Sequence, residues 1–250
     1  MSKKVIIIGG TSGIGFSISE LFAKKKYNVT VVSSNIQNLQ KTLYNLKKIN
    51  ENCSYIKCDL KNEVDVKNLN QIILDQGESI ECVVFASCKG LFGKIDEINN
   101  EKFINYFKTF AVSYLKILKI IFNNKKTRII YLSSYIGHFN IPNYNVYSFI
   151  KFTVDNFLEK LKVEIKKGRI LIAYPGSVKT DFDEKSELIG NFKLRNSKNK
   201  KSAEEIAKKI LKSYESFDDV FHSSILMKFL FFLKNIFPGL MNYILKFFYK

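Results

Sequence analysis

The chain has 250 residues, 46% of them hydrophobic, and three prolines, enough apolar content for one full α/β core and too much for extensive disorder. Forty basic against 23 acidic residues give a formal charge of +17, with 37 lysines to three arginines; AT-rich coding explains lysine over arginine but not the shortage of Asp and Glu, so the surface favours anionic partners. Nucleic-acid motifs are absent, the apolar run before Gly9 is too short for a signal peptide, and four cysteines without a C-x-x-C pair and two isolated histidines point to a cytoplasmic protein with reduced thiols and no metal site.

In chain order, Lys4–Gly9 reads as a buried strand and runs into Gly9-Gly-Thr11-Ser12-Gly13-Ile14-Gly15, followed by a helical pattern over 14–25. A Gly-rich turn between a first strand and a helix lets the backbone approach a pyrophosphate and aims free helix N–H groups at it. A second strand over 28–33 ends in Ser33-Ser34-Asn35, with no acid to accept from both ribose hydroxyls or repel a 2′-phosphate. Ser34 and Asn35 can donate to such a phosphate, which favours NADP(H) over NAD(H). Helices over 36–49 and 62–76 flank a third strand, 54–59, that ends at Asp59-Leu60. Strands follow at 81–87, 128–133 and 169–174, and helices at 101–122 and 144–166. This alternation predicts an α/β Rossmann-type, doubly wound parallel sheet with order 3-2-1-4-5-6, a possible seventh strand and helices on both faces. One nucleotide-binding domain of this type spans 1–220.

Ser134 ends the fifth strand, and thirteen residues later Tyr147 opens Tyr-Ser-Phe-Ile-Lys151. The i,i+4 spacing puts phenol and ammonium on one helix face. A free phenol titrates near pH ~10, and an adjacent cation is expected to lower that value and make the tyrosine a usable acid or base. Pro175-Gly-Ser-Val178-Lys-Thr180 follows the sixth strand, and the polar, lysine-rich stretch over 181–201 reads as a solvated loop. Ser202-Ala-Glu-Glu205 is a capping box that starts a helix ending near Ser216.

Residues 221–250 form an amphipathic, hydrophobic tail. Ile225, Phe229, Leu233, Ile236, Leu240 and Ile244 recur at helical spacing with Lys228, Lys246 and Lys250 opposite, and Pro238-Gly239 divides the stretch in two. Neither half reaches the ~20 apolar residues of a membrane span, so 224–250 reads as an interfacial helix pair making peripheral contact with a cytosolic membrane face. A tail folded over the substrate pocket or onto a dimer partner is the competing reading.

Together these motifs resemble the short-chain dehydrogenase/reductase family over about residues 3–215. The resemblance makes Gly9, Thr11, Ser12, Gly13, Ile14 and Gly15 the cofactor loop, and assigns Asp59, with Leu60, to the adenine ring. It makes Ser134, Tyr147 and Lys151 the catalytic residues, with Tyr147 and Lys151 also touching cofactor. Thr180, with Val178, would hold the nicotinamide carboxamide, and the stretch over 181–201, a solvated loop on its composition, would be a substrate lid. It implies NADPH-dependent reduction of a ketone, or the reverse oxidation of an alcohol, and a homodimer formed through the two long helices. The tail and Ala173-Tyr-Pro175 look most like membrane-associated members such as 3-ketosphinganine reductases, hence a lipid-like ketone. A 3-oxoacyl-carrier-protein reductase and a non-catalytic nucleotide-binding regulator are the alternatives. Two departures stand out. The family's N-N-A-G is Phe85-Ala-Ser-Cys88, and its relay asparagine falls at Phe110, which requires a rerouted relay or a shifted helix register, with Asn105 the nearest alternative.

Overall fold

The computed structural model describes residues 3–194 and 200–248. Seven parallel strands form one sheet: β1 (Lys4–Ile8), β2 (Asn28–Ser33), β3 (Ser54–Lys57), β4 (Ile80–Phe85), β5 (Arg128–Leu132), β6 (Ile170–Tyr174) and β7 (Val220–His222). Their order is β3-β2-β1-β4-β5-β6-β7, the expected six plus a seventh at the edge. The central strands carry unbroken apolar runs because both sheet faces are covered. Val5, Ile6, Ile7 and Ile8 are each at most 1% exposed. Side chains alternate along a strand, so Ile6, Ile8, Val83, Phe85 and Ile129 meet helices on one face. Val5, Ile7, Val29, Val31 and Val84 meet helices on the other.

The first face is covered by α3 (Glu63–Gln76), α5 (Ser113–Asn123) and α6 (Asn145–Leu161), the second by α1 (Gly13–Lys24), α2 (Ile36–Lys47) and α8 (Ala203–Glu215). Short polar side chains start several of these helices by accepting from otherwise unpaired N–H groups. Asn35 caps α2 through Asn38 N at 2.9 Å, Asn62 caps α3 through Val64 N at 2.8 Å, and Ser202 caps α8 through Glu205 N at 3.1 Å. Strand order reverses between β2 and β4 around β1, opening a crevice at the carboxyl ends of β1 and β4.

Three stretches differ from the sequence reading. The single helix expected over 101–122 is α4 (Asn100–Phe107), a π turn at Lys108–Val112 and then α5. The π turn inserts one residue into the ladder and so changes helix register between its two halves. The polar stretch 181–201 contains the short helix α7 (Phe182–Lys185), and Glu187–Leu188 pairs in parallel with Leu91–Phe92; residues 195–199 of the lid reading lie outside the described residues. The tail folds as α9 (Ile225–Ile236) and α10 (Pro238–Phe248), with Pro238 opening the second helix, where its missing N–H is harmless. Met227, Leu230, Phe231, Leu233 and Met241 pack on the core. Ile225, Phe229, Phe232, Ile236, Leu240 and Tyr243 instead form an exposed apolar ridge. Of the lysines expected opposite the apolar face, Lys228 is exposed, and the side chains of Lys246 and Lys250 lie outside the described residues. Among the described residues no helix is long and apolar enough to cross a membrane.

Candidate active site

The loop after β1 is built on glycine because backbones approach each other too closely for a side chain. A Cβ on Gly9 (φ 87°) would lie 2.5 Å from Ser87 N, and one on Gly15 would lie 2.2 Å from the Gly9 carbonyl oxygen. Gly9 N also donates to Val32 O at 2.8 Å, tying the turn to β2. Ser12 is the extended N-cap of α1 but makes no side-chain cap, and Gly13, Ile14 and Gly15 form the first turn. That first turn has no acid, so its N–H groups and dipole remain available to an anion.

A cleft of about 720 Å³ opens beside this loop and brings Gly9, Ser34, Asp59 and Leu60 together. Thr11 Oγ1 donates to Ser33 Oγ at 3.4 Å. Asn35 Oδ1 is spent on the α2 cap, leaving only its NH2 group to donate outward. Asp59 Oδ1 accepts Lys61 N at 3.0 Å, while the Asp59 N–H donates to Asp65 Oδ2 at 2.8 Å. Ser33 and Lys61 also line the cleft and were not singled out in the sequence; Ser33 had a signal, as the last residue of β2, and Lys61 had none. The cradle, the basic rim and the cleft volume fit the adenosine and phosphate portions of a dinucleotide.

Ser134, Tyr147 and Lys151 converge at the carboxyl end of β5. Ser134 caps a one-turn helix by accepting Ile136 N at 3.2 Å, and its hydroxyl lies near enough to the Tyr147 phenol to act on it electrostatically. Lys151 donates to the Leu132 carbonyl at 2.8 Å, with its ammonium 5.8 Å from the Tyr147 ring centre. The expectation of a phenol made acidic by this lysine is not what the side chains show. Burial pushes the Tyr147 pKa well above the ordinary phenol range; the nearby Cys88 adds to this, the Ser134 hydroxyl lowers it, and Asp155 raises it.

Tyr147 does not line the cleft, being 6% exposed and covered by Phe92 at 5.4 Å and Phe182 at 5.7 Å between ring centres. Phe92 also meets Tyr144 at 4.7 Å and Phe192 at 6.2 Å, so the ground above the phenol is aromatic throughout. The segment carrying Phe182 is held down by Glu187 N to Gly90 O at 2.9 Å and Ile189 N to Phe92 O at 2.8 Å. Val178 lies in a two-residue strand, and Thr180 faces the glycine loop: a Cβ on Gly13 would come within 3.0 Å of its Cγ2.

The two departures have a shared structural outcome. Phe85 is buried edge-on against Tyr114 at 4.8 Å, and Phe110 sits in the π turn, edge-on to Tyr106 at 5.0 Å. The backbone after β4 is tied to the helix by the Tyr114 hydroxyl, which donates to the Ser87 carbonyl, and by the Tyr106 hydroxyl, which donates to the Lys89 carbonyl. Sequence reasoning missed both tyrosines, because the π turn resets the register between α4, which carries Tyr106, and α5, which carries Tyr114. Asn105 lines the cleft as well.

A doubly wound parallel sheet with a glycine loop at its switch point and Ser134, Tyr147 and Lys151 together at its carboxyl edge defines an α/β protein of the nucleotide-binding class. Residues 3–188 match the family described as short chain dehydrogenase, and the chain belongs to that family of oxidoreductases. A dehydrogenase/reductase SDR family protein 7-like protein of Dictyostelium discoideum is 29% identical over 84% of this chain and 70% of its own length. A 3-ketodihydrosphingosine reductase of the same organism is 25% identical over 71% of this chain, which spans 60% of that protein. Among solved structures, a short-chain dehydrogenase of Sphingobium yanoikuyae in complex with NADPH superposes with a TM-score of 0.81, at 15% identity over 96% of this chain and 95% of its own. One from Burkholderia phymatum in complex with NAD superposes with a TM-score of 0.82, at 14% identity and the same two coverages. Neighbours of this fold therefore carry either dinucleotide.

Proposed function

We propose that this oxidoreductase uses NADP(H) to reduce an apolar, lipid-like ketone, or to oxidise the corresponding alcohol. The observation that carries the reading is the convergence of Ser134 and Tyr147 at the carboxyl edge of β5, with Lys151 fixed on the Leu132 carbonyl one helical turn after Tyr147. A bound nicotinamide would supply the hydride. Ser134 would donate to the ketone oxygen, and Tyr147 would give its proton to the oxygen as charge develops there. Lys151 would hold ribose hydroxyls and offset that charge. Electrostatic stabilisation of the developing alkoxide is the main catalytic contribution expected. Phe92, Phe182 and Tyr144 would keep water from the reacting carbon.

Three observations support the finer parts of this reading. No acid stands at the end of β2, where Ser33 and Ser34 meet the cleft beside Lys61, so a 2′-phosphate would find donors and a cation instead of repulsion. The aromatic ground above Tyr147 favours an apolar substrate, and one relative is named as a ketodihydrosphingosine reductase. The ridge on α9 and α10 suits residues 221–250 acting as a peripheral membrane contact that brings such a substrate within reach.

Tyr147→Phe removes one hydroxyl with little change in packing. NADPH oxidation with a long-chain ketone is expected to fall about 10²–10⁴-fold, the usual contribution of a positioned acid. Turnover at the wild-type rate in that variant would exclude Tyr147 as the proton donor.

A further inference from the structure

Helix α6 grips the end of β5 at two successive residues. Lys151 holds the Leu132 carbonyl, and one turn later Asp155 Oδ2 accepts the Ser133 hydroxyl at 2.6 Å. Asp155 is fully buried, and the same oxygen accepts His138 Nε2–H at 2.7 Å and the Tyr174 hydroxyl at 3.2 Å. Its Oδ1 has no protein partner among the described residues. An interior carboxylate is expensive to desolvate, and a well-packed apolar side chain at such a place is often neutral or stabilising. Packing alone therefore does not account for an aspartate here.

We propose, building on the reductase reading above, that Asp155 is a positioning residue: together with Lys151 it clamps Leu132 and Ser133 and so holds Ser134 against Tyr147. Tyr147, Lys151 and Asp155 are spaced i, i+4, i+8 on α6, so a single helix face carries the proton donor and both grips on the strand that carries Ser134. The carboxylate has a second effect through space: it opposes a further negative charge on Tyr147 and raises that phenol's pKa. The groups that meet or act on Asp155 are Tyr147 on its own helix, Tyr131 on β5, Ser133 and His138 after β5, and Tyr174 on β6; Lys151 lies one turn before it in sequence, and Glu159, one turn after it, acts on Tyr174. His222 on β7 stacks on Tyr174 at 5.2 Å and lies within reach of Lys228 on α9.

The test is the pH profile of ketone reduction with NADPH for wild type, Asp155→Asn, Ser133→Ala and the double variant. Reduction needs the protonated phenol, so the rate falls as pH rises past its pKa. Asp155→Asn removes a charge that holds this pKa up, and the basic limb is expected to move to lower pH. Its kcat is expected to fall about 10- to 100-fold, as sub-ångström misplacement of catalytic groups does, with KM for NADPH within about twofold. Ser133→Ala cuts the same bond but keeps the charge, so kcat falls while the limb stays. If Asp155 acts through Ser133, the double variant has the kcat of Asp155→Asn alone. Independent, multiplicative losses would overturn the clamp, as would an unchanged kcat in Ser133→Ala, the variant that preserves the buried charge should Asp155→Asn not fold. An Asp155→Asn enzyme with wild-type kcat and limb would do the same. A wild-type protein that turns over no ketone refutes the reductase reading itself, so the two failures are distinct.

Discussion

On the NADP(H) reading proposed above, single residues at the end of β2 decide the choice of cofactor. Ser34 is exposed at the cleft, and Asn35 keeps only its donor side because its oxygen caps α2. An acid introduced at Ser34 would face the 2′-phosphate across a cleft already lined by Lys61; at ~4 Å, two like charges repel by roughly 1 to 4 kcal/mol between bulk-water and surface-protein dielectrics. Ser34→Asp is therefore expected to lower the kcat/KM ratio of NADPH to NADH by about tenfold or more, measured with one ketone at fixed ionic strength. A wild-type enzyme that prefers NADH, or a variant with an unchanged ratio, would show that β2 does not read the phosphate. The glycine loop, Asp59, Ser134, Tyr147 and Lys151 were all legible, because local spacing and strand ends fix where they lie. The environment of Tyr147 was not. Burial by Phe92 and Phe182 outweighs the lysine one turn away, and both phenylalanines reach it from distant segments.

Between elements, the joint of β7, β6 and α9 carries a titratable load. His222 stacks on Tyr174 and Tyr135, meets Phe231 of α9 at 5.7 Å, and shares a 3.2 Å hydrogen bond between its Nδ1 and the Tyr135 hydroxyl. Burial, then Lys228 and His138, lower its pKa from 6.5 to about 4. The unfolded chain thus binds this proton more readily than the fold does, and stability rises with pH across that window. The contribution is fully present above about 6.5 and is lost as pH falls towards 4. Thermal unfolding followed from pH 7.5 to 4 is expected to show a falling midpoint that flattens in His222→Gln; an identical slope in both proteins would remove His222 as the cause. The strand-and-helix alternation and the Ser202 cap were readable from pattern. The π turn was foreshadowed only as one of two alternatives, a shifted register at Phe110; its form was not readable, since the extra residue is accommodated by Phe110 in the core and by Ser113, which donates to Leu60 O at 2.8 Å.

For the molecule entire, the tail divides its apolar residues between two duties. Phe231 packs at 4.6 Å on His138 and 5.4 Å on Tyr174, whereas Ile225, Phe229 and Phe232 point outward. Full burial of each such side chain is worth about 1.5–3 kcal/mol, against about 1 kcal/mol for a lysine near an anionic surface. Apolar burial should dominate any lipid contact, with the +17 charge aiding approach. Replacing Ile225, Phe229 and Phe232 by Gln leaves the packed face intact. Flotation with vesicles containing anionic lipid is expected to capture the wild-type chain, largely even at raised salt, and to lose most of the variant. Equal capture of both proteins would assign the ridge to another partner.

Sequence alone determined the sheet order through the βαβ alternation, the glycine turn after β1, and through i,i+4 spacing the common helix face of Tyr147 and Lys151, since each depends on neighbours along the chain. Tertiary structure decided the electrostatics of Tyr147, the buried Asp155 clamp and which side of the tail faces outward. These depend on desolvation and contact between segments such as Ser133 and Asp155, or His138 and Phe231, and no local pattern specifies which distant side chains meet.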